Sequence, residues 1–355
     1  MRTLSPMALC CKVASKDNLK LLLCVFCITT YVCIYFIKMK VTDHINGHQD
    51  TAISFEILPP LKGKTIESIY NNLDPLMEFK PAFINVTYHR SEQVFKKRAD
   101  GTFEKIEVRK RPGTVGICAA IMNHYKVDAV PHLICGGFNA QETENALIDL
   151  AFLGIDNLLV LRGDAPKNET LFEPEEGGHA YAIDLLKQAV NLNHGIYLED
   201  DIRDGYKTQF CIGVAGYPEK HFEAPNLQSD LRYLKMKVDA GADYITTQMF
   251  FDNKKYFEFV KNCREAGIEV PIIPGLKPIT TKRQLSVLPR TFHVDIPTEL
   301  SNEIMKCKTD SEVEIVGAEW LLQQSRELKK EGAPVLHYYT LSKPNVIANV
   351  VKEII

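Results

Sequence analysis

Seven residues stand at the ends of short apolar runs along the 355-residue chain: Glu56, Thr87, His132, Arg162, Asp164, Tyr217 and Gln248. Together they offer two carboxylates, an imidazole, a guanidinium, two hydroxyls and an amide. No serine or cysteine stands beside a base as an activated nucleophile, and no group of metal-ligand residues has useful spacing. Such a set suits proton transfer and the binding of a large polar cofactor. Glu56 lies in an apolar context, Phe55-Glu56-Ile57-Leu58, where a carboxylate would be desolvated and its pKa raised. That is the state a general acid needs near neutrality. Each residue also has a plainer reading. Glu56 could pair with a structural base, Asp164 could cap a helix, His132 could be a satisfied core histidine, Arg162 could close an ion pair, and Gln248 could bond backbone.

Their common position at strand ends depends on the elements that carry them. The run Leu158-Leu159-Val160-Leu161 has no helical stripe and suits a strand buried on both faces, broken by Arg162-Gly163-Asp164. Seven further strands are read at residues 52–57, 82–87, 130–135, 210–215, 244–247, 270–273 (followed by Pro274-Gly275) and 335–340. Helices are expected at 65–77, 114–125, from 139 onward, 181–192, 229–240, 254–266, as one long region over 298–330, and after the last strand. Residues 42–50 read as a polar lead-in. Loose alternation over 94–108 around Asp100-Gly101 marks a hairpin excursion. Eight strands alternating with helices fit an α/β fold, a (β/α)8 TIM barrel, in which side chains at the carboxyl ends of the strands converge on one mouth. A doubly wound open sheet is the alternative, weakened by the lack of GxGxxG after the first strand.

Composition agrees with one large globular domain: 45% hydrophobic, 25% charged, formal net charge −3. No basic excess favours nucleic acid. Residues 1–38 differ in kind. They hold five of the ten cysteines, five basic residues against one acidic, and the uncharged seventeen-residue run from Leu21 to Ile37. Three readings are weighed for this extension: residues upstream of a true start at Met39, a short membrane anchor with the barrel in the cytoplasm, or, least favoured, a cleaved signal. The domain proper is expected at 39–355. Its cysteines Cys118, Cys135, Cys211, Cys263 and Cys307 are scattered and form no CxxC pair, which fits a reducing, cytoplasmic setting.

Several ordered motifs carry a resemblance. Ser54-Phe55-Glu56 with Pro59-Pro60, Val86-Thr87-Tyr88, Pro131-His132-Leu133, Leu161-Arg162-Gly163-Asp164 and Tyr217-Pro218-Glu219-Lys220-His221 resemble the methylenetetrahydrofolate reductase family. So do the run from Lys237 to Ala242, Thr247-Gln248 with Phe250-Phe251-Asp252, Ile273-Pro274-Gly275 and His337-Tyr338-Tyr339-Thr340-Leu341. The likeness covers residues 52 to about 350 and implies a (β/α)8 barrel binding FAD non-covalently. It also implies reduction of 5,10-methylenetetrahydrofolate to 5-methyltetrahydrofolate with NADH or NADPH, both substrates using one flavin face in turn, and a product destined for methionine synthesis. A homo-oligomer is expected, with no nucleic-acid partner.

The resemblance assigns roles residue by residue. Glu56 matches the general acid that assists protonation of folate N10. Asp164 matches an aspartate near flavin and folate whose charge favours a cationic iminium, and Gln248 matches a pterin contact. FAD contacts would fall on Thr87, His132, Arg162, Gly163, Asp164, Tyr181, Ala182, Gly216, Tyr217, His221, Asp230 and Lys237. Arg162, His221 and Lys237 suit pyrophosphate or ribose oxygens, and Asp230 suits ribose hydroxyls. Leu288 falls near the segment from which some family members stack a phenylalanine on the folate. Lys343, counted among the folate contacts with Glu56 and Gln248, stands where an arginine often occurs. The chain stops soon after its last strand, so a bacterial-type enzyme without a regulatory domain is expected. Two other readings stay open on the residues alone: another flavin barrel that oxidises a small imino acid, or a membrane-tethered binding protein.

Overall fold

The computed structural model describes residues 38–47, 50–165, 171–340 and 343–355. The expected extension over 1–37, with its apolar run, therefore lies outside the described residues. Among those described, no helix is long and apolar enough to cross a membrane.

The described residues form ten strands in chain order: β1 Ala52–Ile57, β2 Phe83–Val86, β3 Glu92–Lys97, β4 Phe103–Val108, β5 Asp128–Ile134, β6 Asn157–Leu161, β7 Cys211–Gly216, β8 Tyr244–Met249, β9 Ile272–Leu276 and β10 Val335–Tyr339. Eight of them close a parallel barrel in the order β1-β10-β9-β8-β7-β6-β5-β2. β3 and β4 make the separate antiparallel hairpin, with Phe95 opposite Lys105. The barrel strands lie close to where their apolar runs end. Helices cover the outside, as a sheet buried on both faces demands.

Side chains alternate across each strand, so every second residue enters the barrel. The lowest inward layer takes one residue from every strand: Ala52, Phe83, Val130, Leu159, Cys211, Tyr244, Ile273 and Val335 pack into one buried cluster. Two residues further along, the same parity brings Ser54, Asn85, His132, Thr246 and His337 inward, all buried. One step above stand Glu56 and the ends of the other strands. The barrel is thus apolar at its base and polar toward its mouth.

The lead-in over 42–50 is a helix in its first part. Helix α1, Val41–Gly47, closes the base of the barrel, and Val41 is fully buried within the base cluster. Its entry is pinned by side chains at the starts of the barrel strands. Asn157 Oδ1 accepts from Val41 N at 2.8 Å, and its Nδ2 donates to Met39 O at 2.9 Å. Asp128 Oδ2 accepts from Met39 N at 3.0 Å and lies 2.8 Å from His44 Nε2. These contacts span 84 to 118 residues, so no local pattern announces them.

Two other expectations are corrected. β9 does not stop before Pro274-Gly275; it runs through both to Leu276. Proline costs the ladder a donor, and the β8–β9 register shifts between Thr246 and Met249 to absorb it. The region 298–330 is two helices, Thr298–Lys306 and Asp310–Lys330, divided where Thr309 caps the second by accepting from Glu312 N. A further helix, Gln284–Phe292, precedes them and was not expected.

Replacing Asn157 with alanine removes both bonds to the α1 entry. The expected loss is about 1–3 kcal/mol, read as a lower urea midpoint at unchanged m-value.

Candidate active site

Glu56 is the last inward residue of β1 and is 7% exposed. Its register neighbours are Asn85 on β2 and Tyr339 on β10. Oε2 lies 3.4 Å from His132 Nε2 and 3.5 Å from His337 Nε2, so the carboxyl group sits between two imidazoles. His337 is fully buried, and its Nδ1 is 2.8 Å from Ser54 Oγ. With the serine hydroxyl donating to Nδ1, Nε2 is the ring nitrogen turned toward Glu56. Asn85 Nδ2 is 3.2 Å from His132 Nε2. Burial pushes the His132 pKa down to about 4 against the opposing pull of Glu56, so the imidazole is neutral at neutral pH. His337, Ser54 and Asn85 carry no role in the sequence reading. Ser54 shares the inward parity of Glu56, and that signal could have found it.

Thr87 follows β2 and is half-buried, with Oγ1 3.4 Å from both the Ile57 carbonyl and His89 Nε2. The His89 pKa is lowered by burial and then by Arg111, while Asp164 and Glu56 pull it upward. His89 therefore lies in the field of both proposed carboxylates. Gly163 turns the chain after β6 at φ +83, a left-handed conformation that glycine adopts without strain. The turn leaves Asp164 exposed at the rim. Gln248 is inward on β8, and its Oε1 accepts from Met249 N at 3.0 Å. That bond occupies the amide oxygen and leaves the NH2 group available.

Beside this cluster a cavity of about 520 Å³ opens over β6 and β7. Seven predicted residues line it: Arg162, Tyr181, Ala182, Tyr217, His221, Asp230 and Lys237. Arg162 forms a two-bond fork with Glu223, at 2.5 and 2.7 Å. This pairing holds the guanidinium above its ordinary pKa and the Glu223 carboxyl below its own. Asp230 Oδ2 accepts from His221 N at 2.9 Å, and Lys237 Nζ donates to the Ala215 carbonyl at 3.0 Å. Burial lowers the Lys237 pKa to about 8 and that of His221 as well, in both cases against Asp230. Tyr181 is exposed and leads helix Ala182–Asn193, where Asp184 accepts from its backbone N–H. Gly216 ends β7, and a Cβ there would press into Ile245 and Phe259.

Two candidates fall elsewhere. Leu288 is buried in a satellite core with Met249, Phe251, Ile279 and Val294, so it packs and does not face a ligand. Lys343 is exposed, and its ammonium bonds Glu314 instead of joining Glu56 and Gln248. Among the described residues no group of His, Cys, Asp or Glu could hold a metal.

A buried carboxyl between two imidazoles, at the carboxyl ends of a closed parallel barrel that also bears a cavity with charged side chains, places the chain among (β/α)8 barrels with a site at that mouth. The methylenetetrahydrofolate reductase family model matches residues 40–355, and the chain belongs to that family. It is 34% identical to methylenetetrahydrofolate reductase (NADH) 1 of Arabidopsis thaliana over 86% of its own length and 49% of the relative's. It is 30% identical to methylenetetrahydrofolate reductase 1 of Schizosaccharomyces pombe over 89% and 48%. It is also 32% identical to 5,10-methylenetetrahydrofolate reductase of Escherichia coli over 82% and 86%. The chain thus spans about half the length of the plant and yeast relatives and most of the bacterial one. An uncharacterized protein from Clostridium thermocellum that binds two copies of 5-methyl-5,6,7,8-tetrahydrofolic acid shares the fold. Its TM-score is 0.54 at 15% identity, over 88% of this chain and 97% of that one.

The low pKa of His132 carries a pH signature. Between about 4 and the unfolded value near 6.5 the unfolded chain binds more protons, so stability is full above 6.5 and lost as pH falls toward 4. His132→Asn should remove up to about 3 kcal/mol of that slope, measured as the difference between the two proteins' denaturation curves over this range.

Proposed function

We propose that residues 39–355 are an FAD-dependent reductase that converts 5,10-methylenetetrahydrofolate to 5-methyltetrahydrofolate with NADH or NADPH. The observation that carries this reading is that one barrel bears both buried Glu56, set between His132 and His337, and a cavity over β6 and β7 with Arg162, His221, Asp230 and Lys237. The donor set fits a dinucleotide: two fixed cations and an imidazole for pyrophosphate, and a carboxylate for ribose hydroxyls. Thr87, His132, Gly163, Asp164, Tyr181, Ala182, Gly216 and Tyr217 would complete the FAD site. Bound there, FAD would supply the two-electron chemistry that links the reductant to the folate.

The remaining work falls to the chain. Glu56 would place a proton on folate N10, opening the imidazolidine ring to an iminium. The two imidazoles flank the carboxyl group, and neutral His132 adds no competing cation. Asp164 would set its negative charge near the developing cation. Gln248, its oxygen held by backbone, would offer its NH2 to the pterin. The Arg162 fork, shared with exposed Glu223, would turn to phosphate when Glu223 swings away. Five free, buried cysteines support a reducing compartment for the domain.

An anaerobic titration of the purified flavoprotein tests the reading. NADH should bleach the flavin band and methylenetetrahydrofolate should restore it. Bleaching without recovery would keep the flavin site and exclude this acceptor, and a protein that cannot be loaded with FAD would overturn the proposal.

Glu56→Gln should keep FAD and its reduction by NADH while slowing reoxidation by the folate roughly 10²- to 10⁴-fold. Equal loss in both half-reactions would count against the acid role.

A further inference from the structure

Among the described residues, Lys277 is a buried cation that no step above uses. Lys277 follows β9 directly and continues its inward parity. Ile273 packs in the base cluster, and Gly275 lies so close beneath Tyr339 that a Cβ there would approach the phenol oxygen to 2.4 Å. On the register, Tyr339 of β10 stands opposite Glu56, while Gly275 stands opposite Met249 of β8, the residue after Gln248. Lys277 therefore occupies the strand between those carrying Gln248 and Tyr339, and the arc of the rim runs Gln248, Lys277, Tyr339, Glu56.

The side chain is 6% exposed. Its ammonium donates to the Pro278 carbonyl at 3.2 Å, and among the described residues no carboxylate pairs with it. Burial alone lowers its pKa, to about 8. An ammonium has three donors and no acceptor, so the single carbonyl leaves two of them unmet in a desolvated place. Such a group is costly to keep unless something completes it. Gln248 lies beside it on the arc and Glu56 one strand beyond Tyr339, while the cavity lies over β6 and β7 on other strands. The missing acceptor therefore belongs to the molecule those two residues hold.

We propose that Lys277 is a further substrate-contacting residue, donating from its buried ammonium to an acceptor oxygen of the folate ring system, such as the pterin carbonyl. The proposal rests on the reductase reading above and adds the group that orients the pterin edge next to Gln248. It makes Lys277 a determinant of folate affinity and leaves the reductant's step independent of it.

The test uses the FAD-loaded enzyme and separates the half-reactions by anaerobic stopped flow. Lys277→Met keeps the volume and removes the charge. The expected result is flavin reduction by NADH within about twofold of wild type, with the folate concentration dependence of reoxidation weakened about tenfold to a hundredfold. Lys277→Gln, which keeps neutral donors, should fall between the two and serves in place of the methionine variant should that one fail to fold. Thermal melts of both should match or exceed wild type, since a buried charge has been removed. Unchanged folate dependence would assign Lys277 a purely structural role and overturn the proposal. So would a defect confined to the NADH step, or loss of FAD. A wild-type flavin that methylenetetrahydrofolate cannot reoxidise would overturn the reductase reading and this proposal together, which distinguishes that failure from one confined to the variants.

Discussion

The rest of the site depends on the depth at which the barrel holds a carboxyl group. Glu56 is almost wholly removed from water, and burial of such a group is tolerable only where polar partners meet it. The partners come from strands on either side: His337 from β10 and His132 from β5. Ser54 meets His337 at Nδ1, whereas Asn85 Nδ2 meets His132 at Nε2, the same nitrogen that faces Glu56. The second layer of the barrel is therefore polar because the third holds an acid. A polar second layer is affordable because the first, with Val41 set into it, is a complete apolar floor. Chemistry at the mouth and packing at the base are two ends of one stack of side chains.

The cavity over β6 and β7 follows a different logic. Its polar groups are partnered within the chain: Arg162 with Glu223, Asp230 with the His221 backbone, Lys237 with a strand carbonyl. These partners keep the cations and the acid fixed without a ligand in place, and they face a half-open space where an anion can compete for them. The Glu56 cluster is closed and pre-set, whereas the cavity is open and exchangeable. That division suits a site in which one molecule stays while others come and go.

Much of this was legible in the sequence, and the omissions share a cause. The strands could be read because β6 and its neighbours are apolar on both faces and end at abrupt polar residues such as Arg162 and Glu56. Arg162 and Tyr217 follow β6 and β7, and Tyr181, Asp230 and Lys237 come from the helices after those two strands, so the βα units bring them to one cavity with His221. Helix α1 was hidden because Val-Thr-Asp-His-Ile-Asn-Gly has no stripe of its own and is held by Asn157 and Asp128 far along the chain. The helix Gln284–Phe292 was hidden because Pro289 interrupts its pattern, and the rigid reading of Pro274-Gly275 as a stop missed a strand that tolerates both. Lys277 was overlooked for that same reason. His337 escaped because its meaning depends on β10 lying beside β1, a pairing of residues 283 apart that no local window contains.

That pairing also governs how the molecule comes into being. β1 is made well before β10, yet Ala52 hydrogen-bonds at Pro334 and the strands match from Val335 onward. Until the last strand is available, one edge of β1 has no partner and the Glu56 carboxyl has only one of its two imidazoles. Contacts of such long sequence separation make folding slow and leave an open edge exposed while the chain waits. Barrel closure and completion of the acid's surroundings are one event, so a half-made chain has neither.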